Sequence, residues 1–237
     1  MPPSPATIGM IVPPAAGEVP PEPLELYPDV NFLATGLAIK DVSPASFEEV
    51  LDRIATCAKT LAVQGADVIS LMGTSLSFYR GPAYNAQLVE VMKDATGLPC
   101  TTMTNAVLDA LRHVGGARIA IATAYTDALN IPLVRYLEAS GYCVENLESL
   151  NLSEVEDVLN VTDAQLNELC LKTAAASPQA DAIFLSCGGL HTAAITQPLE
   201  DLTGLPLISS AMAGTWGVVR LAELDTRVAG YGQLFET

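Results

Sequence analysis

Apolar residues fall in short runs along the chain, separated by stretches with helical spacing. Ala66-Asp-Val-Ile-Ser-Leu-Met-Gly-Thr-Ser75 and Ala180-Asp-Ala-Ile-Phe-Leu-Ser-Cys-Gly-Gly189 each read as a buried strand that runs into a glycine-containing turn. Ile8-Gly-Met-Ile-Val12 and Ile119-Ala-Ile-Ala-Thr123 are a second such pair, and Thr96-Gly-Leu-Pro99 recurs as Thr203-Gly-Leu-Pro206, each before another strand-like run. The three matches keep the same order at an offset of about 110 residues, far too long for a solenoid. They predict two similar α/β halves, residues 1–115 and 116–237.

Helical patterns lie between the strands. Ser46-Phe-Glu-Glu49 is a capping box, followed by Phe47, Val50, Leu51, Ile54 and Leu61 on one face, with Gly65 as the stop. Thr162-Asp-Ala-Gln165 is a second box, leading into Leu166, Leu169 and Cys170. Further helices are predicted near 83–95, 104–114, 126–140, 192–202 and 210–223. Alternation of strand and helix predicts parallel sheets with helices on both faces. The Pro-rich stretch 17–31 has no period and reads as a loop. Residues 225–237 read as an irregular tail or a return segment into the first half.

Composition narrows the class. Half of the residues are hydrophobic (50%), which excludes wholesale disorder. No run reaches the roughly 18 apolar residues of a membrane span, so no membrane partner is expected. Eleven Lys plus Arg against 27 Asp plus Glu give a net charge of −16, which repels phosphate backbones and excludes nucleic acid as a partner. An anionic substrate then needs a local field that opposes the global one. The five cysteines (Cys57, Cys100, Cys143, Cys170, Cys187) are odd in number and form no CxxC pair, which fits neither a disulfide framework nor a zinc knuckle. Met1-Pro-Pro-Ser-Pro5 lacks the features of a signal peptide. A cytoplasmic protein with free thiols is expected, and a monomer.

Ligands of open parallel sheets bind beyond the carboxyl ends of the strands. That rule selects Pro13-Pro14-Ala15-Ala16-Gly17, Gly73-Thr74-Ser75, Ala124-Tyr125-Thr126 and Ser186-Cys187-Gly188-Gly189. Cys187 is the leading candidate, because it ends an apolar strand and precedes two glycines that let backbone N–H groups approach a ligand. The other four cysteines read as ordinary buried thiols. Thr74 and Ser75 offer hydroxyl and N–H donors for a carboxylate, or a simple helix cap. Tyr125 offers a hydroxyl to the same anion, or is a core tyrosine. His113 sits at a helix end, where a cation is favourable. His191, four residues after Cys187, leaves a Cys/His dyad open. No HExxH, P-loop, GxGxxG or GxSxG motif is present, and two histidines make no metal site.

Five segments carry a resemblance: Ile8-Gly-Met-Ile-Val-Pro-Pro-Ala-Ala-Gly17, Leu71-Met-Gly-Thr-Ser-Leu-Ser-Phe-Tyr-Arg-Gly81, Gly97-Leu-Pro-Cys-Thr-Thr-Met103, Ala120-Ile-Ala-Thr-Ala-Tyr125 and Leu185-Ser-Cys-Gly-Gly-Leu190. Together they resemble the aspartate/glutamate racemase superfamily and, within it, the arylmalonate decarboxylases. The resemblance implies two pseudo-symmetric Rossmann-like subdomains, each a parallel four-stranded sheet flanked by helices, with the active site in the cleft between them. Racemases of the superfamily use two cysteines, one from each half. Here the internal repeat aligns Cys187 with Gly73, so one face has a thiol and the other has none. That arrangement resembles the decarboxylases, which form an enediolate by losing CO₂ and protonate it on one face.

By the same resemblance Thr74, Ser75 and Tyr125, with backbone groups at Cys187, Gly188 and Gly189, hold the substrate carboxylate. Pro13, Pro14 and Leu76 form the apolar wall, with Ile39, Val42, Val155 and Val158 as further wall residues. An ordinary thiol is roughly 97% protonated at pH 7, as an acid must be. No metal, biotin, pyridoxal phosphate or thiamine is expected; the partner is a small aryl dicarboxylate. A racemase or cis–trans isomerase of small carboxylates is the alternative, and a non-catalytic carboxylate binder is the third reading.

Overall fold

A computed structural model describes residues 6–39 and 50–236. The Ser46–Glu49 box, Phe47 and Val42 lie outside the described residues, and so does the side chain of Val155. The first half carries β1 (Thr7–Val12), β2 (Asn31–Gly36), β3 (Val68–Leu71) and β4 (Cys100–Thr102) in the order β2-β1-β3-β4. The second carries β5 (Arg118–Tyr125), β6 (Cys143–Leu152), β7 (Ala182–Ser186) and β8 (Leu207–Ser209) in the matching order β6-β5-β7-β8. Every pairing is parallel. Val68-Ile-Ser-Leu71 and Ala182-Ile-Phe-Leu-Ser186 are buried at every position, as expected of strands covered on both faces.

The helices are α1 (Pro21–Leu26), α2 (Leu51–Val63), α3 (Thr74–Phe78), α4 (Pro82–Thr96), α5 (Met103–His113), α6 (Asp127–Ala139), α7 (Val155–Leu159), α8 (Asp163–Ala175), α9 (Ala193–Thr203) and α10 (Ser210–Leu221). The Thr162 box forms in full: its hydroxyl accepts from the Gln165 N–H, and the Gln165 side chain returns to the Thr162 N–H. One sequence expectation is corrected. The stretch 17–31 is not a loop: it contains α1 and reaches the start of β2. Pro21 at the head of α1 supplies a helical φ and lacks an N–H that would go unpaired there. Six residues are too few to show a helical period.

The halves meet along α5 and α10, the helices that follow the fourth strand of each sheet. Their backbones come close at Gly217, where an added Cβ would stand 2.4 Å from the Ala106 Cβ. Further ties cross the seam. Asn85 Nδ2 donates to Tyr136 Oη at 3.0 Å, Tyr142 Oη donates to Leu108 O at 2.8 Å, and the Phe78 and Tyr125 rings meet edge to face at 6.0 Å. After α10 the chain is irregular apart from one 3₁₀ turn, Gln233–Phe235. Tyr27 Oη donates to Thr226 O at 2.8 Å and Tyr231 Oη to Glu25 at 2.9 Å, so this last stretch runs over α1. Among the described residues no helix is long and apolar enough to cross a membrane.

Candidate active site

In both sheets the chain changes direction between the first and third strands of the half, and the crevice opens beyond their carboxyl ends. Pro13 and Pro14 follow β1, Gly73 and α3 follow β3, Tyr125 ends β5, and Cys187 follows β7. Pro13, Pro14, Gly73, Thr74, Ser75, Leu76, Cys187, Gly188 and Gly189 all line one cavity of about 400 Å³, within the range of small-molecule sites. Ile39 and Val158 line it as well. Tyr125 is not in the wall. It lies behind it, 1% exposed, with its hydroxyl against Ser75 and Cys187 and accepting from Ser186 Oγ at 3.4 Å.

Two features fix the Cys187 turn. Its backbone N–H donates to Ser210 Oγ at 3.3 Å. Its φ is +152°, a region that side-chain-bearing residues rarely adopt. The next residue must be small: a Cβ at Gly188 would stand 2.8 Å from Met103 Sδ. Met103 is in turn the acceptor for Thr74 Oγ1 at 3.0 Å, so one methionine spaces the turns of the two halves. Gly73 faces the cavity from the other half. Its φ of −148° suits any residue, and an added Cβ would meet Leu76 Cβ at 3.3 Å and Pro13 Cγ at 3.4 Å.

Burial is the largest influence on the ionisable groups. It pushes the Cys187 thiol above the ordinary value of 9.0; the Gly189 N–H and the Tyr125 hydroxyl pull the other way without reversing the shift. Burial also raises Tyr125 well above its ordinary value. Both groups are therefore protonated at neutral pH and able to donate. Among the remaining cysteines, burial pushes Cys100 to about 11 and Cys170 to about 12. Cys143 is exposed.

His191 lines the cavity, but its contact is with Glu22, not Cys187: His191 Nδ1 stands 3.6 Å from Glu22 Oε1. His113 lies elsewhere, its ring 5.3 Å from that of Trp216. Glu22 and Thr215 line the cavity without any sequence signal having pointed to them, and so does Met103, which closes one of the resembling segments but was given no role there. Among the described residues no three His, Cys, Asp or Glu side chains gather as a metal-binding set.

A family model described as arylmalonate decarboxylase matches residues 8–235. Arylmalonate decarboxylase of Bordetella bronchiseptica is 47% identical over 97% of this chain and 96% of its own length. A maleate isomerase of Nocardia farcinica is 24% identical over 96% and 94%. Among solved structures, a glycine-to-cysteine, cysteine-to-serine double mutant of arylmalonate decarboxylase in its liganded form superposes with a TM-score of 0.95 at 46% identity, covering 97% of this chain and 98% of that one. The maleate isomerase of Pseudomonas putida S16 superposes at 0.90 and 23% identity over 98% and 99%, a likeness of fold alone. On the extent of the family match and the identity over nearly its whole length, the chain belongs to the arylmalonate decarboxylase family.

Proposed function

We propose that the protein decarboxylates α-aryl and α-alkenyl malonates without a cofactor and gives one enantiomer of the monoacid. The C–C bond to one carboxylate breaks, CO₂ leaves, and the electron pair is delocalised as an enediolate over the remaining carboxylate. The Cys187 S–H proton then goes to the carbon, and solvent returns a proton to the thiolate. The observation that carries this reading is a buried, protonated thiol at 187 in the cavity wall, with Gly73 at the matching place in the other half.

The chemistry assigns the other residues. Thr74 and Ser75, with N–H groups around Gly188 and Gly189, donate to the enediolate oxygens from the wall, and Tyr125 backs them from behind it, its hydroxyl against Ser75 and Cys187. Each such donor is worth about 3–4 kcal/mol at the transition state by analogy with oxyanion holes. The N–H groups of Thr74, Ser75 and Leu76 make no intrahelical bond at the start of α3, which leaves them for the anion. Pro13, Pro14, Leu76, Ile39 and Val158 give the departing carboxylate little solvation, and losing CO₂ relieves that strain.

The test is CO₂ release from phenylmalonate and methylphenylmalonate by chelator-treated protein, with the monoacid resolved on a chiral column. Release with one enantiomer dominant is expected. No release, or a racemic acid from methylphenylmalonate, would refute single-face protonation by Cys187.

The fold shared with maleate isomerases keeps a second reading in view, racemisation or cis–trans isomerisation with a base besides Cys187. Gly73 counts against it, and its surroundings permit a test. Gly73→Cys places a second thiol where the neighbours need give only a few tenths of an ångström. The variant is expected to fold and to racemise optically pure arylpropionate faster than the parent. A folded variant with no gain would refute the view that positions 73 and 187 face the same carbon.

A further inference from the structure

One buried acid in the cavity wall is not used by this chemistry. Glu22 sits in the first turn of α1, its side chain only 4% exposed, and lines the cavity together with His191. Its Oε1 accepts from the Thr192 N–H at 3.4 Å and stands 3.6 Å from His191 Nδ1. An acidic residue at a helix start is favourable on its own, but that benefit is available to a solvent-facing side chain. Here the carboxyl is withdrawn from water into a wall in which Pro20, Pro21 and Val19 are its neighbours along the chain. Such burial is costly unless hydrogen bonds offset it, and it raises the Glu22 pKa above 4.5.

The position of Glu22 relative to the thiol is informative. Glu22 is tied to Thr192 and His191, whereas the Cys187 N–H is tied to Ser210. By the decarboxylase reading, the retained carboxylate belongs at the donor-rich end with Cys187 and the departing one against the apolar wall of Leu76, Ile39 and Val158. The α-substituent therefore extends along the rest of the cavity, where Glu22 lies. A bare phenyl ring brings no donor to this carboxyl. A ring with a hydroxyl or amino group does.

We propose that Glu22, held by His191 and Thr192, forms a polar subsite that selects malonates whose aryl ring carries a hydrogen-bond donor. The proposal rests on the decarboxylase reading above and adds the substrate class. A site built around a buried polar group rejects a ligand that leaves it unpaired.

The experiment compares kcat/KM for the three ring-hydroxylated phenylmalonates with that for phenylmalonate, in the parent protein and in Glu22→Leu and Glu22→Gln. The parent is expected to favour at least one hydroxylated isomer by about tenfold, the scale of one good hydrogen bond to a charged group. Glu22→Leu is expected to bring that ratio close to one, and Glu22→Gln, which keeps an acceptor, to retain part of it. A merely structural role for Glu22 would depress all substrates alike, and an unchanged ratio in Glu22→Leu would overturn the proposal. If Glu22→Leu does not fold, Glu22→Gln and the parent ratio decide: a parent that does not discriminate overturns it. If nothing is decarboxylated, the function reading fails, and calorimetric titration with hydroxyphenylacetates and phenylacetate still tests the subsite. Equal affinities would overturn it.

Discussion

The proposed mechanism asks Cys187 to be an acid, and its surroundings keep it protonated. Burial holds the thiol above its ordinary pKa, the opposite of what a nucleophilic cysteine needs. A serine there keeps the geometry and a donor but is a far weaker acid. Cys187→Ser is expected to lower kcat by about 10²-fold or more, the usual contribution of a positioned acid, with a small change in KM. Steady-state CO₂ release checks this, and near-normal turnover would remove the proton-donor role. The thiol was legible in the sequence because an apolar strand precedes it and two glycines follow. Glu22 was not. Its place depends on the Thr192 N–H, 170 positions away, and no local pattern encodes that contact.

Elements were legible in proportion to their length and regularity. Helices of 11–15 residues, such as α4, α5 and α8, show enough turns for a period and a cap to be read. The three-residue strands β4 and β8 have no pattern of their own, and only the repeated Thr-Gly-Leu-Pro marked them. The short helices α1 and α7 gave no signal. The α5–α10 seam was equally invisible, because it depends on two small residues meeting from opposite halves. Gly217→Val would drive a side chain into Ala106. It is expected to cost about 1–3 kcal/mol, as overpacked core sites do. The urea midpoint checks this, and an unchanged midpoint would mean that the two helices part easily.

For the whole molecule, charge and buried acids act in the same direction. Glu22 and Glu200 both have pKa values raised above 4.5, chiefly by burial. Between that value and their raised native values, the folded state binds more protons than the unfolded state. Their contribution is therefore fully present below 4.5 and is lost as pH rises through the native values. Self-repulsion of a chain with net charge −16 grows over the same range. The thermal midpoint is expected to be higher at about pH 5.5 than at about pH 8, the reverse of a protein held by salt-bridged carboxylates. A midpoint that rises with pH across this interval would show that other groups dominate.

The two pseudo-equivalent positions have their residues the wrong way round for the backbone. Gly73, at φ −148°, occupies a site that any amino acid tolerates, whereas Cys187, at φ +152°, occupies one that glycine would fill more comfortably. Selection for durability alone would exchange them. The protein instead carries a conformational penalty of order 1–3 kcal/mol at its thiol and leaves the relaxed position empty. Cys187→Gly should therefore melt at a higher temperature than the parent while losing decarboxylation. A lower melting temperature would mean that the turn stores no such penalty. Under the proposed mechanism, the asymmetry between the two turns is thus also a trade of robustness for activity, made at one residue.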